Sequence, residues 1–320
     1  MGRTRSRREF LAAFGIGAAA FATGCGTGSR PRESASLAEE LETEANAIEP
    51  SPTATATATE TPTPIPTPTP RPAGDETVLL MHGTDWETPA LIRSTGVPGP
   101  ALVVLGGVHG NEPAGWLAAE AITKWEPRAG ALAVLPHANT RAIAGFARLV
   151  DGEGDLNRQY PGDSESSIAT SRLAAEITAL CATLDAEVVL DLHESWAFFV
   201  DRETDGFVNR AQTGTAYLGQ TLTGGAGPRG HQIAGQIAAI VNEDIANERE
   251  LFIPRDGWAY RRNDAGGQVQ PRGRSSLALG GYVPGLTPVL VETGQRNQPL
   301  ERRVVHQQAV VRATMDILGM

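Results

Sequence analysis

Cysteine is nearly absent from this chain of 320 residues: there are two, and no Cys-x-x-Cys or Cys/His cluster exists among them. That excludes a disulfide scaffold and a thiolate zinc site. Cys25 stands at the end of an N-terminal apolar run. Cys181 falls in a segment of helical period and reads as a small buried apolar residue. Basic excess is lacking too. The formal net charge is -10 and the pI about 5.2, so the electrostatic footprint of a nucleic-acid binder is missing and such a partner is excluded. Part of the acidity is local, because six glutamates lie from Glu33 to Glu49. The only long apolar run, Ala12 to Ala22, is too short to span a bilayer comfortably.

That run follows Ser6-Arg7-Arg8-Glu9-Phe10-Leu11, a basic flank that suits an export signal and resembles the twin-arginine type. Ala22-Thr23-Gly24-Cys25 resembles a bacterial lipobox, which makes Cys25 the lipidation site. Residues 1–25 are therefore expected to be a signal, and residues 26–74 a disordered linker whose Pro50–Pro72 part is an extended Thr/Pro spacer. The expected location is the outer face of the cytoplasmic membrane, with a lipid anchor as the membrane contact. Residues 75–320 are long enough for one catalytic domain with a buried core.

Within that domain, short apolar runs alternate with helical periods. Strands are expected at Thr77–Met81, Ala101–Leu105, Ala131–Leu135, Glu187–Leu192 and Pro288–Val291. Helices are expected at Pro113–Trp125, Ser167–Leu184, His231–Asn247 and Pro299–Leu318. Residues 137–155, 202–229 and 251–286 read as loop or irregular chain. The alternation predicts an α/β domain with a mostly parallel mixed sheet flanked by helices.

Four elements carry chemistry. His109-Gly110-Asn111-Glu112 follows a strand and two glycines, and His193 ends the run Leu190-Asp191-Leu192-His193. Ligands gather at the C-terminal ends of strands in open α/β sheets. Two His and one Glu, with a fourth position open, form a catalytic zinc set. The third element, Asp155-Leu156-Asn157-Arg158, offers an amide and a planar guanidinium suited to a substrate carboxylate. The fourth is Glu292, at the end of the apolar run Val289-Leu290-Val291, where a carboxylate is costly to desolvate.

In this order, across about residues 101–318, the four elements resemble the zinc carboxypeptidase superfamily, which includes the succinylglutamate desuccinylase/aspartoacylase branch. The resemblance implies a zinc carboxypeptidase-like fold and one Zn2+ held by His109, Glu112 and His193. It implies that Asn157 and Arg158 hold a substrate carboxylate and that Glu292 is the general base. It also implies an arginine that polarises the scissile carbonyl, for which Arg148 is the first candidate and Arg141 the second. The expected activity is hydrolysis of an amide bond next to a carboxylate. A carboxypeptidase acting on peptides or peptidoglycan fragments is placed first, because about 28 residues follow Glu292 where the deacylase branch carries a further β-rich domain. An N-acyl amino acid deacylase is the alternative, supported by His-Gly-Asn-Glu-Pro and the compact spacing before Asp-Leu-Asn-Arg. A lipid-anchored non-catalytic binding module is the third reading. Tyr282 and Tyr260 are both candidates for the peptidase tyrosine, although ring packing is the simpler expectation for each, as it is for Trp196 and Trp258. His82, His137, His231 and His306 are expected to be non-ligands.

Overall fold

The structure, a computed structural model, describes residues 71–202, 217–227, 229–257, 260–262, 269–271 and 274–320, with the backbone alone at 202, 217, 260–262 and 269–271. The expected signal, Cys25, the linker up to residue 70, Trp258 and the side chain of Tyr260 lie outside the described residues.

The strands in chain order are β1 (Gly74–Leu80), β2 (Thr88–Ser94), β3 (Ala101–Gly106), β4 (Ala131–Leu135), β5 (Ala186–Ser195), β6 (Ala197–Phe198), β7 (Tyr217–Gly219), β8 (Thr221–Gly224), β9 (Ile253–Asp256), β10 (Tyr260–Arg262), β11 (Val269–Pro271) and β12 (Thr287–Gly294). The helices are α1 (Pro113–Ile122), α2 (Thr140–Ala144), α3 (Ala169–Thr183), α4 (Gly230–Asn242) and α5 (Leu300–Leu318). Eight strands form one sheet in the order β1-β2-β4-β3-β5-β12-β8-β9. Its centre, β4-β3-β5-β12, is parallel. β1, β2 and β8 pair antiparallel to their inner neighbours. The small pairs β6-β7 and β10-β11 stand apart from it.

The central strands are apolar without alternation because both faces are covered. Side chains of β3 divide by parity: Val103 and Leu105 join a core with Leu173, Ile177 and Cys181 of α3, while Leu102 and Val104 join a second core on the other face. That second core includes Ala118 and Ile122 of α1, Ile237 of α4 and Val310 of α5. The mixed sheet between helical layers is the architecture expected, and Cys181 is fully buried as expected. Its burial pushes the thiol up to about 12, so it is inert at neutral pH.

Several expected boundaries shift. The stretch 137–155, expected to be loop, contains α2, whose N-cap Asn139 accepts a hydrogen bond from Ala142 N through its side chain. β2 was not foreseen. β8 emerges from a segment read as loop, and β9 from one read as irregular.

Helix α1 lies very close to β5. A Cβ on Gly115 would stand 2.3 Å from Leu192 O, so only glycine permits this approach. Alanine would gain up to about 1 kcal/mol of helix propensity, but the clash is with backbone and cannot be relieved by a rotamer. Gly115→Ala is therefore expected to lose about 1–3 kcal/mol in denaturant unfolding. A higher midpoint would contradict the close packing.

Candidate metal centre

β3, β5 and β12 run parallel, so their C-terminal ends meet at one edge, and that is where the polar side chains collect. After β3, Gly107 turns the chain at φ +73°, a conformation favourable to glycine. His109 and Glu112 follow on that turn. His193 is inside β5 rather than beyond it, and the register pairs it with Glu292 on β12.

His109, Glu112 and His193 are buried, and their ligand atoms lie within 4.8 Å of one another. Glu112 Oε1 is 2.7 Å from His109 Nδ1, and its Oε2 is 2.8 Å from His193 Nδ1. The two Nδ1 atoms are 3.0 Å apart. Each ring turns its other nitrogen to a carboxylate. His109 Nε2 lies 3.1 Å from Asp155 Oδ1, and His193 Nε2 lies 2.9 Å from Asp191 Oδ2. A neutral imidazole protonated on Nε2, the nitrogen facing a carboxylate, has its lone pair on Nδ1. Two such lone pairs at 3.0 Å repel each other unless a cation lies between them, so the donor set fits a metal ion.

The electrostatics of the metal-free chain favour positive charge at the same place. Burial opposes charge on Glu112, but the two histidines outweigh it and hold its carboxyl well below the usual range. Burial likewise opposes the imidazolium of His193, and Asp191 with Glu112 reverses that, raising its pKa well above the ordinary value. Burial raises Glu292, His193 opposes and Glu112 reinforces, and the net result is about 7. Its Oε2 is buried with no hydrogen-bond partner among the described residues.

Glu112 is the N-cap of α1, yet its side chain makes no capping bond. It is committed to the histidines. The cap comes from Glu194, whose Oε2 accepts from Ala114 N at 2.9 Å. The backbone N–H of Glu194 in turn donates to Glu112 Oε2 at 2.9 Å.

The structure brings Arg148 to this cluster. Its Nη2 and Nε donate to Asp155 Oδ2 at 2.8 and 3.1 Å, and Nη1 lies 3.6 Å from Glu112 Oε1. Arg141 is elsewhere, with its guanidinium over the Trp86 ring and 3.5 Å from Asp85. Asn157 is buried and its Oδ1 accepts from Ser276 N at 3.0 Å, which leaves only its amide nitrogen to face a carboxylate. Arg158 is exposed and donates to Asn157 O. Tyr282 and Trp196 do not pack their rings as expected. They are 44% and 58% exposed; Tyr282 is the C-cap of a short 3-10 helix, and Trp196 directly follows β5. The four remaining histidines pair with carboxylates away from the cluster: His82 with Glu87, His137 with Glu120, His231 with Asp256 and His306 with Glu250.

Sequence reasoning assigned no role to Asp155, Asp191 or Glu194. Asp191 had a signal, since residues two apart on a strand share a face. Asp155 stood in a recognised motif without a task.

Residues 98–197 match the sequence profile of the succinylglutamate desuccinylase/aspartoacylase catalytic domain. Over 100 residues the chain is 35% identical to N-alpha-acetyl-L-2,4-diaminobutyric acid deacetylase of Halomonas elongata, an alignment covering 30% of this chain and 28% of that protein. Among solved structures, it is similar to the mDAP-bound form of Helicobacter pylori Csd4, a D,L-carboxypeptidase. The TM-score is 0.54 at 18% identity, over 69% of this chain and 51% of Csd4. It is also similar to an aspartoacylase family protein of Mesorhizobium loti, with a TM-score of 0.52 at 20% identity, over 78% of this chain and 68% of that one. The fold is similar to the folds of Csd4 and the aspartoacylase family protein. His109, Glu112 and His193 all lie within the segment that matches the desuccinylase/aspartoacylase catalytic-domain profile. The chain spans about half the length of Csd4 and little more than a quarter of the deacetylase. Likeness at this identity speaks for the fold, and activity has to be argued from the site.

Proposed function

We propose that the protein is a zinc-dependent hydrolase of amide bonds adjacent to a substrate carboxylate, and that its substrates are N-acyl amino acids. The observation that carries this reading is the ring of His109, Glu112 and His193 with Glu292 in register beside it. Two imidazoles and one carboxylate would hold the ion. A zinc ion there supplies a Lewis acid that polarises a carbonyl and acidifies water.

The chain's own groups do the rest. Glu292 takes a proton from the attacking water and delivers it to the departing amine, and a pKa tuned upwards by burial suits both transfers. Arg148, half-exposed at the cluster, is placed to stabilise charge growing on the scissile oxygen, an effect worth about 3–4 kcal/mol for one such donor. Arg158 is free to reach a substrate carboxylate from the surface, with the Asn157 amide beside it. Retention of a base with all three ligands supports turnover over a binding role alone.

Sequence similarity to the deacylase branch supports N-acyl amino acids before peptides, as the His-Gly-Asn-Glu-Pro motif does, and reverses the order first expected. The peptidase reading keeps support from the fold shared with Csd4. A screen of the zinc-loaded protein against N-acyl amino acids, C-terminally free peptides and muropeptides decides between them. Amine release from N-acyl amino acids is expected. Release from peptides or muropeptides alone would move the assignment to a carboxypeptidase, and no release from any class would sink the hydrolase reading.

A further inference from the structure

Helix α5 carries none of the motif residues, yet two of its side chains reach the backbone that holds the metal ligands. Arg303 and Gln307 are four residues apart and so project from one face of the helix. Gln307 is fully buried, and its Nε2 donates to His193 O at 2.8 Å and to Thr293 Oγ1 at 3.1 Å. His193 O can only accept, which fixes the amide's orientation. His193 is a ligand, and Thr293 follows the base on the neighbouring strand. The two hydrogens of one amide therefore bolt β5 to β12 at the level of the site.

Arg303, one turn earlier, pairs with the Glu194 carboxylate, whose side chain is wholly buried. Glu194 is the residue that caps α1 and orients Glu112 through its backbone N–H. The helix thus reaches two of the three donors: His193 through Gln307, and Glu112 through Arg303 and Glu194.

We propose that Arg303 and Gln307 are positioning residues of the metal centre. They fix the spacing of His193, Glu112 and Glu292 from a helix that follows all of them in the chain. This rests on the metal-centre reading above. Partners behind metal ligands typically change metal affinity about 10–100-fold when removed, and the bonds of Gln307 are shielded from water that would otherwise replace them.

Full-length wild type, Gln307→Met and Val310→Ala are loaded with Co2+, and two quantities are read: the visible ligand-field spectrum and the rate of cobalt loss to excess chelator. Val310 is fully buried in the same helix and bonds neither strand through its side chain, so it reports general loss of packing. Gln307→Met is expected to shift the bands and to release cobalt about 10-fold faster or more. Val310→Ala is expected to unfold at lower temperature with the wild-type spectrum and release rate. Thr293→Val removes one acceptor of the same bolt without touching the helix. It is expected to speed release by a smaller factor, and it decides the matter should Gln307→Met not fold. Wild-type release from Gln307→Met, or from Thr293→Val in that case, would overturn the proposal. So would equal effects from Val310→Ala. A wild type that takes up no cobalt overturns the metal-centre reading itself, and this proposal with it.

Discussion

Glu292→Gln is expected to keep zinc at the wild-type level and to lower kcat by about 10²–10⁴-fold, the usual contribution of a positioned general base. Glu292 is not among the three donors, so metal retention does not depend on it. Glutamine keeps the volume of a side chain buried in the sheet edge, and it cannot accept a proton from water. The pH dependence carries the same signature. Burial lifts Glu292 to about 7 in the metal-free chain, and a bound dication draws that value down. The acid limb of kcat/KM therefore falls at or below about 7, as the base becomes protonated, and the Gln variant lacks it. Stability of the metal-free chain moves the other way. An acid whose folded pKa lies above its ordinary value of 4.5 costs stability as pH rises from there through about 7. The metal-free Gln variant is thus expected to be more stable than metal-free wild type at pH 8 and equal to it at pH 4. Undiminished turnover in the variant would remove Glu292 from the mechanism.

The centre of the fold was readable because its strands are short apolar runs closed by glycine, proline, histidine or a carboxylate. Gly106-Gly107 marks the end of β3, and the ligands follow directly. The regions missed had weaker local signals. α2 has five residues, too few to show a helical period, and it depends on one Asn139 cap. β8 is Thr-Leu-Thr-Gly, a polar segment that becomes a buried strand only because β12 and β9 supply its ladder bonds. Asp191 was legible in principle, since an aspartate two residues before a histidine on a strand shares its face. The contributions of Arg303 and Gln307 were not. They act on residues 109 and 114 positions away, and no periodicity within α5 distinguishes them from any other polar helix position. Arg148 and Arg141 were separable only in space, because each precedes the Asp-Leu-Asn-Arg motif and only Arg148 meets Asp155.

Removing a ligand tests the other half of the site. His193→Ala is expected to bring zinc content close to zero by elemental analysis and to abolish activity. Two donors remain, His109 and Glu112, and a catalytic zinc site requires three from the protein. The variant carries a second cost. Asp191 is 1% exposed, and His193 Nε2 at 2.9 Å is its ion-pair partner. Deleting one member of a buried pair leaves an uncompensated charge, worth about 3–5 kcal/mol, so Asp191 must take up a proton or water must enter. The melting temperature should therefore drop below that of wild type stripped by chelator, which has lost the ion but retains the His193–Asp191 pair. His193→Ala combined with Asp191→Leu removes both members and should recover part of that stability without recovering zinc. Zinc addition raises the melting temperature of wild type by mass action, and it should leave both variants unmoved. If His193→Ala holds a full equivalent of zinc, the ligand assignment is wrong. If the double variant melts no higher than the single one, the buried pair is not what braces the histidine.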